Sequence, residues 1–410
     1  MNKGDAKLLR VSPREANLKR KLRRHLWSLG FEKAEDGSLR VQGEGKDVVR
    51  ALHRSQRDER LKANQAFLSE RAEALLPYFA LGSEIDPQMI APSLERVHAG
   101  TWQGDLFRLA ALTWSVPVSN GFGRRLRYLV WDGQNGKLIG LIAIGDPVFN
   151  LAVRDKLIGW SANERSSRLV NIMDAYVLGA LPPYNSLLGG KLIASLLRTR
   201  ELYDEFAEAY GGTTGLISGE AKKARLLAIT TSSSMGRSSV YNRLKLDGTQ
   251  YLKSIGYTGG WGHFHIPDRL FTELREYLRE IGHTYADLHK FGEGPNWRLR
   301  TTRAALDSLG FREDMLHHGI RREVFLCQLA SNSLSILKTG RGSPQLSNLL
   351  SAHDVAGLAL ERWIVPRAQR RPEFKRWTLG DLIELFGTQR ATMRMVASKS
   401  GRRKGQIAGA

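Results

Sequence analysis

Two histidines with one residue between them, His263 and His265, stand in the stretch Gly259-Gly260-Trp261-Gly262-His263-Phe264-His265. On a strand that spacing puts both rings on one face, where they would share a metal or flank a reaction centre. A catalytic metal site needs a third ligand, and Asp146 and Asp174 are the candidates. Together the four suit metal-dependent cleavage of a phosphodiester, in which a divalent ion steadies the attacking and leaving oxygens. A structural reading stays open beside it. Both histidines can be satisfied core residues, and Asp146, which precedes Pro147 at the exit of an apolar run, can cap the next segment. His317 and His318 are adjacent, so on regular structure they point apart.

Two further stretches suit anions. In Pro182-Pro183-Tyr184-Asn185-Ser186-Leu187-Leu188-Gly189-Gly190-Lys191 a strand gives way to a helix. Free N–H groups at such a helix start, beside Asn185, Gly189, Gly190 and the charge of Lys191, would hold a phosphate. A tight turn with close helix–sheet packing explains the same glycines, and the spacing is not that of a P-loop. In Thr230-Thr231-Ser232-Ser233-Ser234-Met235-Gly236-Arg237-Ser238-Ser239, followed by Tyr241, Asn242 and Arg243, the hydroxyls of Ser234 and Ser238 and the guanidinium groups of Arg237 and Arg243 suit phosphates. An N-capping loop is the alternative. No Gly-x-Ser-x-Gly, His-Glu-x-x-His or Gly-x-Gly-x-x-Gly occurs, so hydrolase, zinc-protease and dehydrogenase readings lose most of their support. The single cysteine, Cys327, lies among Val324, Phe325, Leu326 and Leu329. It reads as a core thiol, and one cysteine builds neither an internal disulfide nor a Cys-based zinc site.

Charge is the strongest bulk signal. The 410 residues carry a formal net charge of +21, which favours polyanions. It is clustered. Lys19, Arg20, Lys21, Arg23 and Arg24 lead into Leu26, Trp27, Leu29 and Phe31, which reads as a basic helix with one apolar face. From Arg362 to Lys404 twelve Lys or Arg face three Asp or Glu, and Arg402, Arg403 and Lys404 end that stretch as a candidate phosphate-contacting arm. The start of the chain is polar, and no window approaches the roughly 18 apolar residues of a membrane span. A cytoplasmic protein without a membrane partner is the expectation.

The elements that must position these residues follow from periodicity. Arg124–Trp131 and Lys137–Ile144 read as a hairpin across Asp132-Gly133 and Asn135-Gly136. The uncharged run Leu138–Ile144 suits a strand buried on both faces. A loop at Ser161–Arg165, a strand Arg168–Val177, a helix Leu192–Tyr203, a strand Ala224–Thr231, a helix near Ser239–Lys245 and a strand pair near Tyr257–Ile266 follow. Helices are expected at Leu270–Ile281, Thr302–Leu309, Arg321–Leu337 and Ala352–Val365. This is an α/β (α+β) pattern: a mostly buried central mixed sheet with helical N- and C-terminal extensions. The expected division is a basic helical region 1–95, an α/β core 96–270, a helical region 271–385 and a basic tail 386–410.

Several blocks together resemble the Druantia anti-phage defence family, specifically its DruA-type component. They are Gly145-Asp146-Pro147-Val148-Phe149-Asn150, Arg154-Asp155, Ile158-Gly159-Trp160 and Met173-Asp174-Ala175-Tyr176-Val177-Leu178-Gly179. Pro182-Pro183-Tyr184-Asn185, Leu188-Gly189-Gly190-Lys191 and Gly236-Arg237-Ser238-Ser239-Val240-Tyr241-Asn242-Arg243 continue them. Gly256-Tyr257-Thr258, Gly262-His263-Phe264-His265 and His318-Gly319-Ile320-Arg321-Arg322-Glu323-Val324 complete the set, and the resemblance covers roughly residues 95–340. The resemblance implies a part in a multi-gene bacterial defence against phage, beside other subunits that include a helicase-like protein. It implies no known reaction and names no cofactor. The clustered charge makes nucleic acid the expected partner, DNA first. The order of strands and helices is also similar to the acyl-CoA N-acyltransferase layout. There the pyrophosphate turn reads Arg/Gln-x-x-Gly-x-Gly/Ala; here it is Ser186-x-x-Gly189-x-Lys191, so that similarity serves the fold more than the chemistry. Two readings of function remain: a nucleic-acid-binding component of a defence complex, or a nucleic-acid-directed enzyme, either a metal-dependent nuclease or an acyl-type transferase.

Overall fold

The computed structural model describes residues 12–35, 39–41, 45–119, 121, 123–214, 221–222, 224–263, 265–287, 295–311 and 313–386. Spatial contacts divide the chain into two compact units, each assembled from separate stretches. Met1–Gln56 joins Gly259–Arg321, and Arg57–Thr258 joins Arg322–Ala410.

The first unit is organised by helix α1, Pro13–Ser28. Ser12 caps it by accepting from Glu15 N at 3.1 Å, and Pro13 opens it where no donor is needed. Leu18, Leu22 and Leu26 recur every four residues and are buried. They share a core with Phe31 of β1 (Phe31–Lys33), Leu39 of the antiparallel β2 (Leu39–Val41), and the apolar faces of the helices Asp268–Glu280 and Pro295–Ser308. Each buried leucine contributes roughly 1.5–3 kcal/mol. Ion pairs from Arg14 to Glu280 (3.2 Å) and Lys21 to Glu273 (2.6 Å) fix the orientation of α1 along Asp268–Glu280.

The second unit is built on a seven-stranded sheet. Its strands are β3 (Pro92–Arg96), β4 (Arg125–Asp132), β5 (Lys137–Gly145), β6 (Ile172–Ala180), β7 (Ala228–Ser232), β8 (Lys253–Tyr257) and β9 (Glu323–Gln328). They lie in the order β8-β9-β7-β6-β5-β4-β3, and every neighbouring pair is antiparallel except β6 with β7. The hairpin β4–β5 turns where the sequence places it. The buried carboxylate of Asp132 accepts from Ala91 N (2.9 Å), Gln134 N (3.1 Å) and Tyr184 Oη (2.8 Å). Strand β5 is buried on both faces. It gives Ile139, Ile142 and Ile144 to one core and Leu138, Leu141 and Ala143 to the other.

Five local expectations differ from the structure. Ser161–Arg165 is not a loop: Ser161 and Glu164 form a reciprocal capping box that starts a helix, Ala162–Arg168. The strand expected from Arg168 therefore begins at Ile172. Arg321–Leu337 is not a helix but strand β9, then a helix Ser333–Thr339. A short apolar run buried on both faces carries no periodicity to separate strand from helix. The residues around Ser239–Lys245 form turns, and the strand near Tyr257 ends there, so His263 and His265 lie in a bend and a turn.

Candidate functional site

The parallel pair β6/β7 is short. Ile172, Met173 and Asp174 stand opposite Ala228, Ile229 and Thr230, and then the strands part. Strand β6 shifts its register against β5 between Ala175 and Val177, which leaves Tyr176 as an extra residue. Parting strands leave carbonyls without ladder partners, and a buried carbonyl needs a donor. Side chains supply them here. Thr231 Oγ1 donates to Ala175 O at 2.9 Å, and Tyr241 Oη donates to Leu178 O at 3.0 Å. Burial raises the Tyr241 hydroxyl well above its ordinary value, so it stays protonated as this donor.

Asp174 sits at the point of divergence. Thr230 Oγ1 donates to its Oδ1 at 2.6 Å. Burial pushes the carboxyl up to about 6, against the opposing effects of that hydrogen bond and the charge of Arg154. A carboxyl there exchanges its proton close to neutral pH, which an ordinary aspartate does not do.

The Gly145–Asn150 block is a braced loop. Asp146 accepts from Arg124 N (3.0 Å) and Arg124 Nε (2.8 Å). Arg154 is fully buried, donating to Val148 O (2.9 Å), Phe149 O (2.8 Å) and Asp155 Oδ1 (2.8 Å). Arg165 holds the other carboxylate oxygen of Asp155 at 3.0 Å. Asp146 and Asp155 are thus both paired with arginine.

At the second anion motif, Leu188 takes a positive φ of 63° and Gly189 begins a short helix, Gly189–Ser195. A Cβ on Gly189 would lie 2.6 Å from Tyr184 O, so close packing explains the glycine. Lys191 Nζ donates to Val240 O (2.8 Å) and Asn242 O (3.2 Å) and lies 5.3 Å from the Trp363 ring centre. Its ammonium ties the turn to the Ser-rich segment. Asn185 is exposed and Gly190 half-buried.

The Ser-rich segment is organised by a residue that the motif reading passed over. Glu323 is 4% exposed and accepts from Ser238 N (3.0 Å), Asn242 Nδ2 (2.9 Å) and Ser254 Oγ (2.9 Å). Ser238 in turn receives Tyr241 N at 3.0 Å, which sets the tyrosine toward Leu178. Ser234 is half-buried, and Arg237 and Arg243 are exposed. The available signal was the lone carboxylate opening the apolar run Val324–Cys327, in a chain whose serine- and asparagine-rich turn has donors to satisfy.

His263 and His265 belong to the first unit, and Asp146 and Asp174 to the second. Burial holds His263 at about 3 and His265 at about 4, so both rings are neutral at physiological pH. His265 pairs with Met315 O at 3.0 Å, and its ring packs 5.4 Å from Phe31 and 5.9 Å from His318. Among the described residues no group of three or more His, Cys, Asp or Glu could hold a metal ion. Cys327 is buried, as expected of a core thiol.

Of the basic candidates, Arg20, Arg23 and Arg24 are exposed on α1 and Lys19 is half-buried, while Lys21 is engaged by Glu273. Arg402, Arg403 and Lys404 lie outside the described residues. Among those described, no helix is long and apolar enough to cross a membrane.

No solved structure matches the chain. A protein from Escherichia coli (strain UMEA 4076-1), described as Druantia protein DruA, is 67% identical over 386 residues, covering 94% of this chain and 96% of the relative. The family model described as Druantia protein DruA matches residues 43–339, which contain the braced loop, the β6/β7 divergence and the Glu323 network. The chain belongs to the DruA family of Druantia proteins.

Proposed function

We propose that this Druantia protein acts in anti-phage defence by engaging nucleic acid, DNA first, as a cytoplasmic component of a complex with other subunits that include a helicase-like protein. The observation that carries the reading is the solvent face of α1. Arg20, Arg23, Arg24 and Trp27 stand at i, i+3, i+4 and i+7, one stripe of a helix, opposite the buried Leu18, Leu22 and Leu26. The three arginines are exposed, and Trp27 is 77% exposed. Ion pairs with Asp268–Glu280 engage Arg14 and Lys21 and leave this stripe facing solvent. Guanidinium groups beside an exposed indole suit a phosphate backbone with an apolar contact. Replacing Arg20, Arg23 and Arg24 together with Glu tests it. The DNA affinity of the variant should fall, and its salt dependence should lose about three counter-ions. Unchanged affinity and slope would remove α1 from the interface.

A second reading, a nucleic-acid-directed enzyme, rests on Asp174, whose carboxyl near 6 would accept a proton at neutral pH. Loss of phage protection in Asp174→Asn, with DNA binding and folding intact, would support it. Full protection in that variant would oppose it.

A further inference from the structure

The braced loop presents an aromatic ring that the core does not use. Phe149 is 44% exposed. Its backbone is fixed from below by the fully buried Arg154, and its ring is covered on one side by Arg165, whose guanidinium carbon lies 4.5 Å from the ring centre. An exposed phenylalanine costs solubility and contributes little to folding, yet here a buried arginine holds it outward.

The surface beyond it is basic, and consecutive contacts define a continuous strip. Arg165 and Arg168 lie on one short helix. Arg168 donates to Lys338 O and pairs with Glu164 at 3.1 Å. Arg225 donates to Gly342 O at 2.7 Å. Lys338 and Arg341 are exposed, and Arg341 lies between the segments that Arg168 and Arg225 hold. The strip thus carries Arg165, Arg168, Lys338, Arg341 and Arg225. Among the described residues Asp155 pairs with Arg165 and Glu164 with Arg168, so Lys338, Arg341 and Arg225 carry the strip's excess charge.

We infer that this strip binds single-stranded nucleic acid, with an unpaired base stacked on Phe149 against Arg165 and the backbone phosphates along Arg168, Lys338, Arg341 and Arg225. A flat aromatic ring backed by a guanidinium accepts any base face, whereas a paired base in a duplex keeps both faces in the stack. The cations account for phosphate attraction, and the ring accounts for the preference for unpaired bases. The inference rests on the proposed nucleic-acid role and adds a second contact, on the second unit, with a different substrate form.

The test uses the full chain and a short oligonucleotide carrying 2-aminopurine, free or annealed to its complement. Wild-type protein should quench the fluorophore in the single strand. Phe149→Ala should weaken single-strand binding about tenfold and abolish the quenching, and Phe149→Tyr should retain both. Lys338→Glu with Arg341→Glu should weaken single-strand binding and flatten its salt dependence. Duplex affinity should be unchanged by Phe149→Ala. If wild-type protein binds single strands but Phe149→Ala binds and quenches equally well, this inference fails while the α1 reading stands. If wild-type protein binds no nucleic acid in either form, both fail. Phe149 lies on the surface, so circular dichroism of Phe149→Ala should match the wild type, and a matched spectrum ties lost binding to the ring.

Discussion

Replacing Asp174 with Asn removes a titrating group while keeping an oxygen for the Thr230 hydroxyl. In the folded protein this carboxyl titrates near 6, against 3.8 for an unperturbed aspartate. A raised value means that the folded state still holds the proton where the unfolded chain has released it. The stability that the group contributes is therefore full below the unfolded value. It declines as pH rises through the window from 3.8 to about 6, and stays low above it. The difference between those two values corresponds to about 3 kcal/mol. The amide of the Asp174→Asn variant does not titrate and shows no such decline. Urea unfolding followed by circular dichroism, run on both proteins across pH, reads the effect directly. The stability of Asp174→Asn relative to wild type should climb by about 3 kcal/mol between roughly pH 4 and pH 7 and then level off. Parallel stability curves for the two proteins would refute the reasoning. They would mean that Asp174 titrates as an ordinary carboxyl and cannot exchange protons near neutrality.

Three more perturbations follow from the same geometry. Glu323→Ala strips the acceptor from Ser238 N, Asn242 Nδ2 and Ser254 Oγ; it should cost about 3 kcal/mol in denaturant unfolding, and Glu323→Gln clearly less. Asp155→Ala leaves the fully buried Arg154 without its carboxylate and should cost about 3–5 kcal/mol, with part of the loss recovered by Arg154→Met in the same chain. The depressed His265 value means the unfolded chain takes up a proton first, so stability present above 6.5 should fall by about 3 kcal/mol as pH drops toward 4, and His265→Asn should flatten that slope.

What was legible in the sequence was local. Asp132-Gly133 and Asn135-Gly136 announce the β4–β5 turn because few residues accept the backbone angles it needs. The uncharged run Leu138–Ile144 announces a strand with two buried faces. The capping box Ser161/Glu164 was equally present and marks a helix start where a loop was expected. The glycines around Trp261 argued against a strand at His263 and His265: Gly260 and Gly262 adopt φ of +69° and +153°, which turn the chain. The rest depends on distant partners. Lys21 meets Glu273, His25 meets His265 O, and Ser254 meets Glu323, and no spacing rule in one sequence predicts such pairs. For the same reason the candidate anion motifs changed character. Lys191 and Ser238 looked available for phosphate because their partners, Val240 O and Glu323, are separated from them along the chain.

The proposed nucleic-acid role is tested most directly by equilibrium binding of the full chain to duplex DNA, single-stranded DNA and RNA across a salt series. Substrate integrity is checked afterwards, with and without Mg²⁺. DNA should bind with an affinity that falls steeply with salt, and the slope should drop by about three when Arg20, Arg23 and Arg24 are replaced by Glu. Absence of binding at low salt, or binding indifferent to salt and to those arginines, would contradict that role.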